Sequence, residues 1–265
     1  MTDAPHHYYL EDRLRTRSPD VLLTRVFMPQ SAQPVINAQF VLLDELVQLA
    51  MIRESGVAMT KLAWWFEEWK RLIEGEPRHP VTQTLLASRT RSADEGASNL
   101  PLLWPKLDGA LSVVGAQIQG EAPTSQAELI TWLTDLAEPL ADLELCGGKA
   151  PPQLTNVWAG IVLLHWLSSL ERLADVGRAP WPLDLSAQTQ IRREQLGDNP
   201  AREQAAEALW SLMDEPITDG RVEGCGHAGV YLAVASRTVL ARASGKPAAG
   251  RWRSLLNAWR ARRQC

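Results

Sequence analysis

The stretch 39–85 constrains the fold of this chain more than any other, because it reads as two long apolar helices joined by a tight turn. Its second half ends at Gly75 and Pro77, which stop a helix by different means: the glycine through its left-handed freedom and the proline through its missing N–H. We predict helices at about 35–53 and 57–74, packed antiparallel as one wall of a bundle. Both are too apolar to face solvent all round, which places them at the centre of an all-helical domain.

The rest of the chain also predicts helices. Prolines and glycines divide it into segments of helical length, and no segment alternates apolar and polar residues in the manner of a strand. The segment 154–176 is almost continuously apolar as far as Ser168, so we expect one long helix there, the most buried of all. A chain of 265 residues can bury one large core, and we predict a single domain, 1–265. We expect residues 1–17 to form a polar arm or a first short helix, and the apolar-poor stretch 88–99 to form a mobile loop.

Charge and cysteine content weigh against several classes of protein. The net charge is −4, and basic residues gather only in the run 251–263, which argues against a nucleic-acid binder. The three cysteines are widely spaced and odd in number, as is typical of a reducing compartment. The first residues show no secretory signal, and no apolar run reaches the length of a membrane span. We therefore predict a cytoplasmic location.

The basic run 251–263 alternates with tryptophan, leucine and alanine at helical spacing. A basic amphipathic helix with tryptophan at its border can lie on an anionic membrane surface or dock on a protein partner. A terminal helix packed on the domain with a charged outer face is the alternative.

Tryptophan is unusually abundant, with eleven residues against three tyrosines and three phenylalanines. Rings at that density indicate a thick helical core or a pocket for a bulky apolar guest. Trp64, Trp65 and Trp69 spread over more than one helix face and are candidates to line a cavity, although ordinary core packing is the plainer account. We predict that Trp65 or Trp64 is almost fully buried. His165 and Trp166 are further cavity candidates, but no second His or Cys stands at metal-ligand spacing from His165, which favours a core histidine.

Four local patterns together resemble the squalene/phytoene synthase family, the head-to-head prenyl transferases. In chain order they are Ser18-Pro19-Asp20 with Phe27-Met28-Pro29, the helix Pro34 to Leu49, Leu62-Ala63-Trp64-Trp65 followed by Gly75-Glu76-Pro77-Arg78-His79-Pro80-Val81, and Ala159-Gly160 with Leu170-Glu171-Arg172 and Trp181-Pro182-Leu183-Asp184. The resemblance implies an all-α isoprenoid synthase fold, a single helical bundle around a central cavity for two prenyl diphosphates.

The family's chemistry, in which Mg²⁺ bridges a departing diphosphate to protein carboxylates, needs two acidic clusters on facing helices. By the resemblance, the first cluster would fall near Val47, Gln48 and Met51, and none of these is acidic. On the second helix only a turn two residues shorter would make Glu171 and Asp175 a pair at i, i+4. A solvated helix face is the alternative interpretation of those two acids.

The missing acids lead to a hypothesis about function. We expect a squalene/phytoene synthase-like protein that has lost diphosphate-dependent prenyl transfer, uses no cofactor, and serves as a binding or assembly protein. Its ligand would be a prenyl lipid or diphosphate. The alternative is an active Mg²⁺-dependent head-to-head prenyl transferase that makes squalene or phytoene from prenyl diphosphates.

Overall fold

A computed structural model describes residues 5–92, 100–145, 149–218 and 226–243, and within these ranges the chain is helical and contains no strand. The all-α prediction is confirmed. The helices run over Pro5–Arg17 (α1), Pro19–Thr24 (α2), Gln33–Ala50 (α3), Ser55–Glu74 (α4), Pro80–Ser92 (α5), Leu100–Ile118 (α6), Gln126–Glu144 (α7), Pro152–Ser168 (α8), Leu170–Asp175 (α9), Leu183–Thr189 (α10), Asn199–Thr218 (α11) and Gly226–Ala243 (α12), with short 3₁₀ helices at Arg25–Phe27 and Arg193–Gly197.

Helices α3 and α8 form the centre of the bundle. Helix α3 is buried along almost its whole length and contacts α1, α4, α5, α6, α7 and α8. Helix α8 is buried continuously from Val157 to Leu167 and packs against α7, α11 and α12. Phe40 on α3 lies between Trp158 of α8 and Tyr231 of α12, with ring centroids 5.2 Å and 4.4 Å away. Close-packed aromatic rings therefore occupy the space between the two central helices.

The predicted helix pair 35–53 and 57–74 is present as α3 and α4, but α4 packs more extensively on α6 than on α3. The apolar stripe of α4 explains this arrangement, because Leu62 meets α6 where Gly115 leaves room for it. A Cβ atom added to Gly115 would stand 3.3 Å from a methyl carbon of Leu62. Helix α3 meanwhile needs apolar neighbours on every side, and α1, α5 and α6 supply most of them.

Two predicted boundaries differ from the structure, and one alternative left open is decided. Of the arm or first short helix expected over 1–17, the structure has a helix from Pro5 onward, because Leu10 and Leu14 are buried as α1 packs on α3 and α5. The single helix predicted over 154–176 breaks at Ser169, whose backbone (φ −113°, ψ 3°) leaves the helical region between α8 and α9. Of the predicted loop 88–99, the part up to position 92 belongs to α5 and the remainder lies outside the described ranges.

The buried side chain of Arg178, just beyond α9, ties that segment to the end of α3. Its guanidinium donates hydrogen bonds to the carbonyl oxygens of Ala50 (3.1 Å), Ile52 and Arg53 (3.3 Å) and to the hydroxyl of Ser55 (2.7 Å). These carbonyls close the C-terminus of α3, where backbone oxygens have no partner within the helix. The charge of Arg178 thus fixes the turn between α3 and α4 and holds α9 beside it.

Candidate functional site

The segment between α4 and α5 is shaped by the carboxylate of Glu68, whose side chain has 0% exposure. One oxygen accepts hydrogen bonds from the backbone N–H groups of Arg78 and His79, each at 2.7 Å, and from the hydroxyl of Thr82. The other oxygen accepts from the guanidinium of Arg71 at 3.1 Å. Burial alone would raise the pKa of Glu68, but these donors together hold it below the ordinary value. The anchored turn positions the ring of His79 against α1 and α3.

A chain of hydrogen bonds runs from His79 to α1 and α3. The N–H of Val81 donates to Nδ1 of His79 at 3.3 Å, so the proton of the neutral ring is on Nε2. Nε2 lies 3.3 Å from the hydroxyl of Tyr9, which in turn donates to Glu45 at 3.1 Å. The carboxylate of Glu45 also forms an ion pair with the guanidinium of Arg13. Burial lowers the pKa of His79, which keeps its ring neutral in this chain of polar groups.

Aromatic rings form one wall beside this chain. The ring centroids of Trp64, Trp65 and His79 lie 5.0–5.7 Å apart in edge-to-face arrangements. The exposed fraction separates the two tryptophans: Trp65 is 4% exposed and Trp64 is 42% exposed. The predicted burial of one of the pair is confirmed, and the other presents a large apolar ring to solvent.

A cavity of about 400 Å³, which we call the aromatic–basic pocket, lies beside this hydrogen-bonded chain and its aromatic wall. Its volume is within the range of small-molecule sites. Helices α1, α3 and α4 and the turn before α5 supply its lining: Arg13, Arg17, Glu45, Gln48, Leu49, Ile52, Lys61, Trp64, Trp65 and His79.

The charge of the aromatic–basic pocket is positive. Three cations line it, and the one carboxylate, Glu45, already pairs with Arg13. Arg17 and Lys61 have no carboxylate partner among the residues that the structure describes, and both are exposed. With His79 neutral, the lining carries a charge of about +2, counted from side chains in their ordinary states at neutral pH.

A second cavity, of about 310 Å³, lies between the end of α3 and α9, and we call it the α3–α9 cleft. It borders the aromatic–basic pocket, because Gln48 and Ile52 line both. Two arginines and one carboxylate supply its charge. The cleft is lined by Gln48, Met51, Ile52, Arg53, Arg172, Asp175 and Val176.

The residues of the α3–α9 cleft do not fit a Mg²⁺–diphosphate centre. Mg²⁺ prefers carboxylate oxygens, and Asp175 is the one carboxylate in a lining that also holds two guanidinium groups. Its predicted partner Glu171 is not in the lining; that side chain is 63% exposed and pairs with Arg202 of α11 at 3.2 Å. Within the described ranges no three His, Cys, Asp or Glu side chains come together in a way that could hold a metal ion.

The other predicted cavity residues belong to the core. Trp69 and Trp166 are fully buried, and Nδ1 of His165 lies 3.0 Å from the carbonyl oxygen of Ile161 in the preceding turn. Beside Trp69 there is a void of about 10 Å³, no larger than one water molecule requires. Of the five candidates for cavity lining, the structure therefore brings only Trp64 and Trp65 to a pocket of ligand size.

Sequence reasoning missed the polar half of the aromatic–basic pocket. Arg13 and Arg17 stand on the segment expected to be an arm or a short helix, and Glu45 and Lys61 stand on helices that were predicted from their apolar residues. The spacing of Arg13 and Arg17 at i, i+4 could have indicated this basic lining, because it puts both side chains on one face of a helix.

Comparison with known proteins supports the fold. The chain is similar to the crystal structure of squalene synthase HpnC from Alicyclobacillus acidocaldarius, at 13% identity over 91% of this chain and 95% of that chain, with a TM-score of 0.59. It is also similar to a dehydrosqualene synthase in complex with a ligand, at 12% identity over 97% of this chain and 95% of that chain, with a TM-score of 0.67. No family model and no curated protein sequence matches the chain.

The architecture is therefore the isoprenoid synthase fold, and in particular the form of it seen in squalene and dehydrosqualene synthases. The resemblance noted in the sequence is confirmed at the level of the fold. None of the helices in the described ranges combines the length and the apolarity that crossing a membrane would need.

Proposed function

We propose that this protein keeps the fold of the squalene synthases without their metal-dependent chemistry, and that it acts as a binding protein. The observation that carries the proposal is the charge of the α3–α9 cleft. Arg53 beyond the end of α3 and Arg172 on α9 stand with Asp175, the single carboxylate among the described residues of the lining. A cleft that would have to gather Mg²⁺ ions offers them two fixed positive charges instead.

The energetic consequence is large. Ionising a prenyl diphosphate requires preorganised cations around the departing charge, and such electrostatic stabilisation is commonly the largest catalytic contribution. The guanidinium groups of Arg53 and Arg172 can attract a diphosphate, but a monovalent group does not bridge it as Mg²⁺ does. A loss of about 4 kcal/mol of transition-state stabilisation lowers the reaction rate about a thousandfold.

The packing at the centre of the bundle supports the same proposal. Two prenyl chains need a long apolar tunnel, whereas Phe40, Trp158 and Tyr231 fill the space between the central helices. The void beside Trp69 is far smaller than a prenyl group. We therefore propose that a ligand binds at the surface around the second half of α3, where the aromatic–basic pocket and the α3–α9 cleft adjoin.

Prenyl transfer is tested by incubating the full-length protein with farnesyl or geranylgeranyl diphosphate, Mg²⁺ and NADPH, followed by lipid extraction. We expect no squalene, phytoene or cyclopropyl intermediate above the protein-free control. Product formed at ordinary enzymatic turnover, abolished by Glu171→Gln and retained by the matched surface variant Glu203→Gln, would instead establish the active prenyl transferase.

The active enzyme remains the second candidate, because the fold is that of two synthases and Glu171 and Asp175 both lie on α9. For that function α9 would have to turn Glu171 away from Arg202 and toward α3. A prenyl lipid or diphosphate is the ligand class that this candidate shares with the binding hypothesis. The proposed membrane or protein contact through 251–263 lies outside the described ranges, and it stays a proposal together with the cytoplasmic location.

A further inference from the structure

We infer that the aromatic–basic pocket is a metal-independent binding site for a phosphate monoester that carries an apolar ester group. This inference deepens the proposed binding function and rests on it. The site is separate from the α3–α9 cleft in its chemistry, since its aromatic wall and its cations come from α1 and α4.

The cations define the anionic half of the ligand. Arg13, Arg17 and Lys61 line one cavity, and Glu45, the only carboxylate among the described lining residues, is neutralised by Arg13 and accepts a hydrogen bond from Tyr9. A phosphate monoester carries a charge of about −1.5 to −2 at neutral pH, which matches the remaining charge of the lining. Guanidinium groups bind phosphate oxygens through paired hydrogen bonds, and the ammonium of Lys61 adds a mobile point charge.

The aromatic wall defines the apolar half of the ligand. Trp64 is a large ring exposed at the rim of a positively charged cavity, and Leu49 and Ile52 supply apolar lining within it. An ester group of aromatic or prenyl character would cover the Trp64 ring while the phosphate meets the cations. The edge-to-face contacts with Trp65 and His79 hold Trp64 in place before any ligand arrives.

The site needs no metal ion to bind phosphate. The carboxylate of Glu45 is already engaged by Arg13 and Tyr9, so it is not available to bridge a cation. The Nε2 proton of His79 is directed to Tyr9, and its Nδ1 accepts from the backbone of Val81. Both ring nitrogens of His79, the only imidazole that the structure describes in the lining, are thereby occupied, which leaves protein cations as the partners of the anion.

Calorimetric titration in the presence of EDTA tests the inference with four probes: phenyl phosphate, geranyl monophosphate, inorganic phosphate and vesicles with or without phosphatidic acid. We expect the two soluble esters to bind at least about tenfold more tightly than inorganic phosphate, the factor that corresponds to about 1.4 kcal/mol of apolar contact. Trp64→Ala should abolish that preference and leave the binding of inorganic phosphate unchanged.

Paired variants separate the pocket from general surface charge. Arg17→Gln and Lys61→Gln should each weaken binding of phenyl phosphate about tenfold, the value of one charge-assisted hydrogen bond. Arg15→Gln and Lys70→Gln change exposed cations on the same two helices outside the pocket and should leave affinity unchanged. Thermal unfolding of each variant confirms that it is folded, as expected for changes at exposed positions.

The probes also identify the source of the phosphate. Retention on phosphatidic acid vesicles, competed by phenyl phosphate, assigns a lipid headgroup, whereas binding of the soluble esters alone assigns a small molecule. Absence of saturable binding by every probe, equal losses in Arg17→Gln and Arg15→Gln, or inorganic phosphate binding as tightly as its esters would overturn the inference. Prenyl product formation would refute the proposed function, whereas absent binding without product refutes only this site.

Discussion

Replacing Glu68 with glutamine removes a negative charge from a fully buried side chain that receives four hydrogen bonds. The amide oxygen of glutamine can still accept from the N–H groups of Arg78 and His79, but each bond loses its charge assistance. The bond from Arg71 is lost altogether. Hydrogen bonds to charged groups contribute about 1.5–3 kcal/mol each against about 1 kcal/mol for neutral ones.

Summed over the four bonds and offset by the easier burial of a neutral amide, the change should lower the free energy of unfolding by about 2–3 kcal/mol. For a protein of this size that corresponds to a decrease in Tm of roughly 4–10 °C. The neighbouring substitution Glu67→Gln is the matched control, because Glu67 is exposed and forms a surface ion pair with Lys70. The Glu67→Gln substitution should lower the free energy of unfolding by less than about 0.5 kcal/mol.

The dependence on pH provides a second measurement. The folded-state pKa of Glu68 lies below its ordinary value of 4.5, so its contribution to stability is complete above that pH and is lost as the pH falls through the folded pKa. Urea unfolding should therefore show the deficit of Glu68→Gln in full at pH 7 and a smaller deficit below pH 4. A deficit no larger than that of Glu67→Gln, or one independent of pH, would refute the assignment of these hydrogen bonds.

Three further substitutions test other parts of the structure by urea unfolding. Arg178→Met should cost about 3 kcal/mol, because it leaves the buried carbonyls at the end of α3 without donors, whereas Arg172→Met should be nearly neutral. Trp69→Ala removes a fully buried ring and should cost about 3–5 kcal/mol, while Trp64→Ala should cost less than about 1 kcal/mol; equal costs would contradict the core assignment. His165→Leu should leave the free energy of unfolding unchanged or raise it. Because burial lowers the folded-state pKa of His165 below the ordinary 6.5, the parent protein loses stability as the pH falls below 6.5, and the gain in stability of the variant should grow there. A gain that shrinks below pH 6.5 would contradict burial of the neutral ring.

The helical framework was predictable because it depends on local properties of the chain. Gly75 does end α4 in the left-handed conformation, with φ 83°. The continuous apolar run of α8 required burial, and α8 is central. The break at Ser169 was not predictable, since no glycine or proline marks it and α9 is held in place by Arg178, a contact with residues more than a hundred positions away.

The sequence alone shows that Val47, Gln48 and Met51 are not acidic, so these three positions offer no carboxylate to Mg²⁺ in any arrangement of the helices. Whether Glu171 and Asp175 act together depended on where α9 points. The structure turns Glu171 toward Arg202 and leaves Asp175 in the α3–α9 cleft. That outcome follows from the break after α8 and the packing of α9 on the following 3₁₀ helix, which periodicity alone does not encode.

The sequence by itself determined that the chain is all-helical and where its principal helices lie, because both depend on local apolar spacing and on prolines and glycines. Only the tertiary structure decided that Arg13, Glu45, Lys61 and His79 surround one pocket, because these residues come from four elements spread along the chain. It also decided that Trp69 and Trp166 lie in the core, whereas Trp64 and Trp65 line the aromatic–basic pocket. Helical spacing fixes the face on which a side chain stands, but what that face meets depends on how the helices pack.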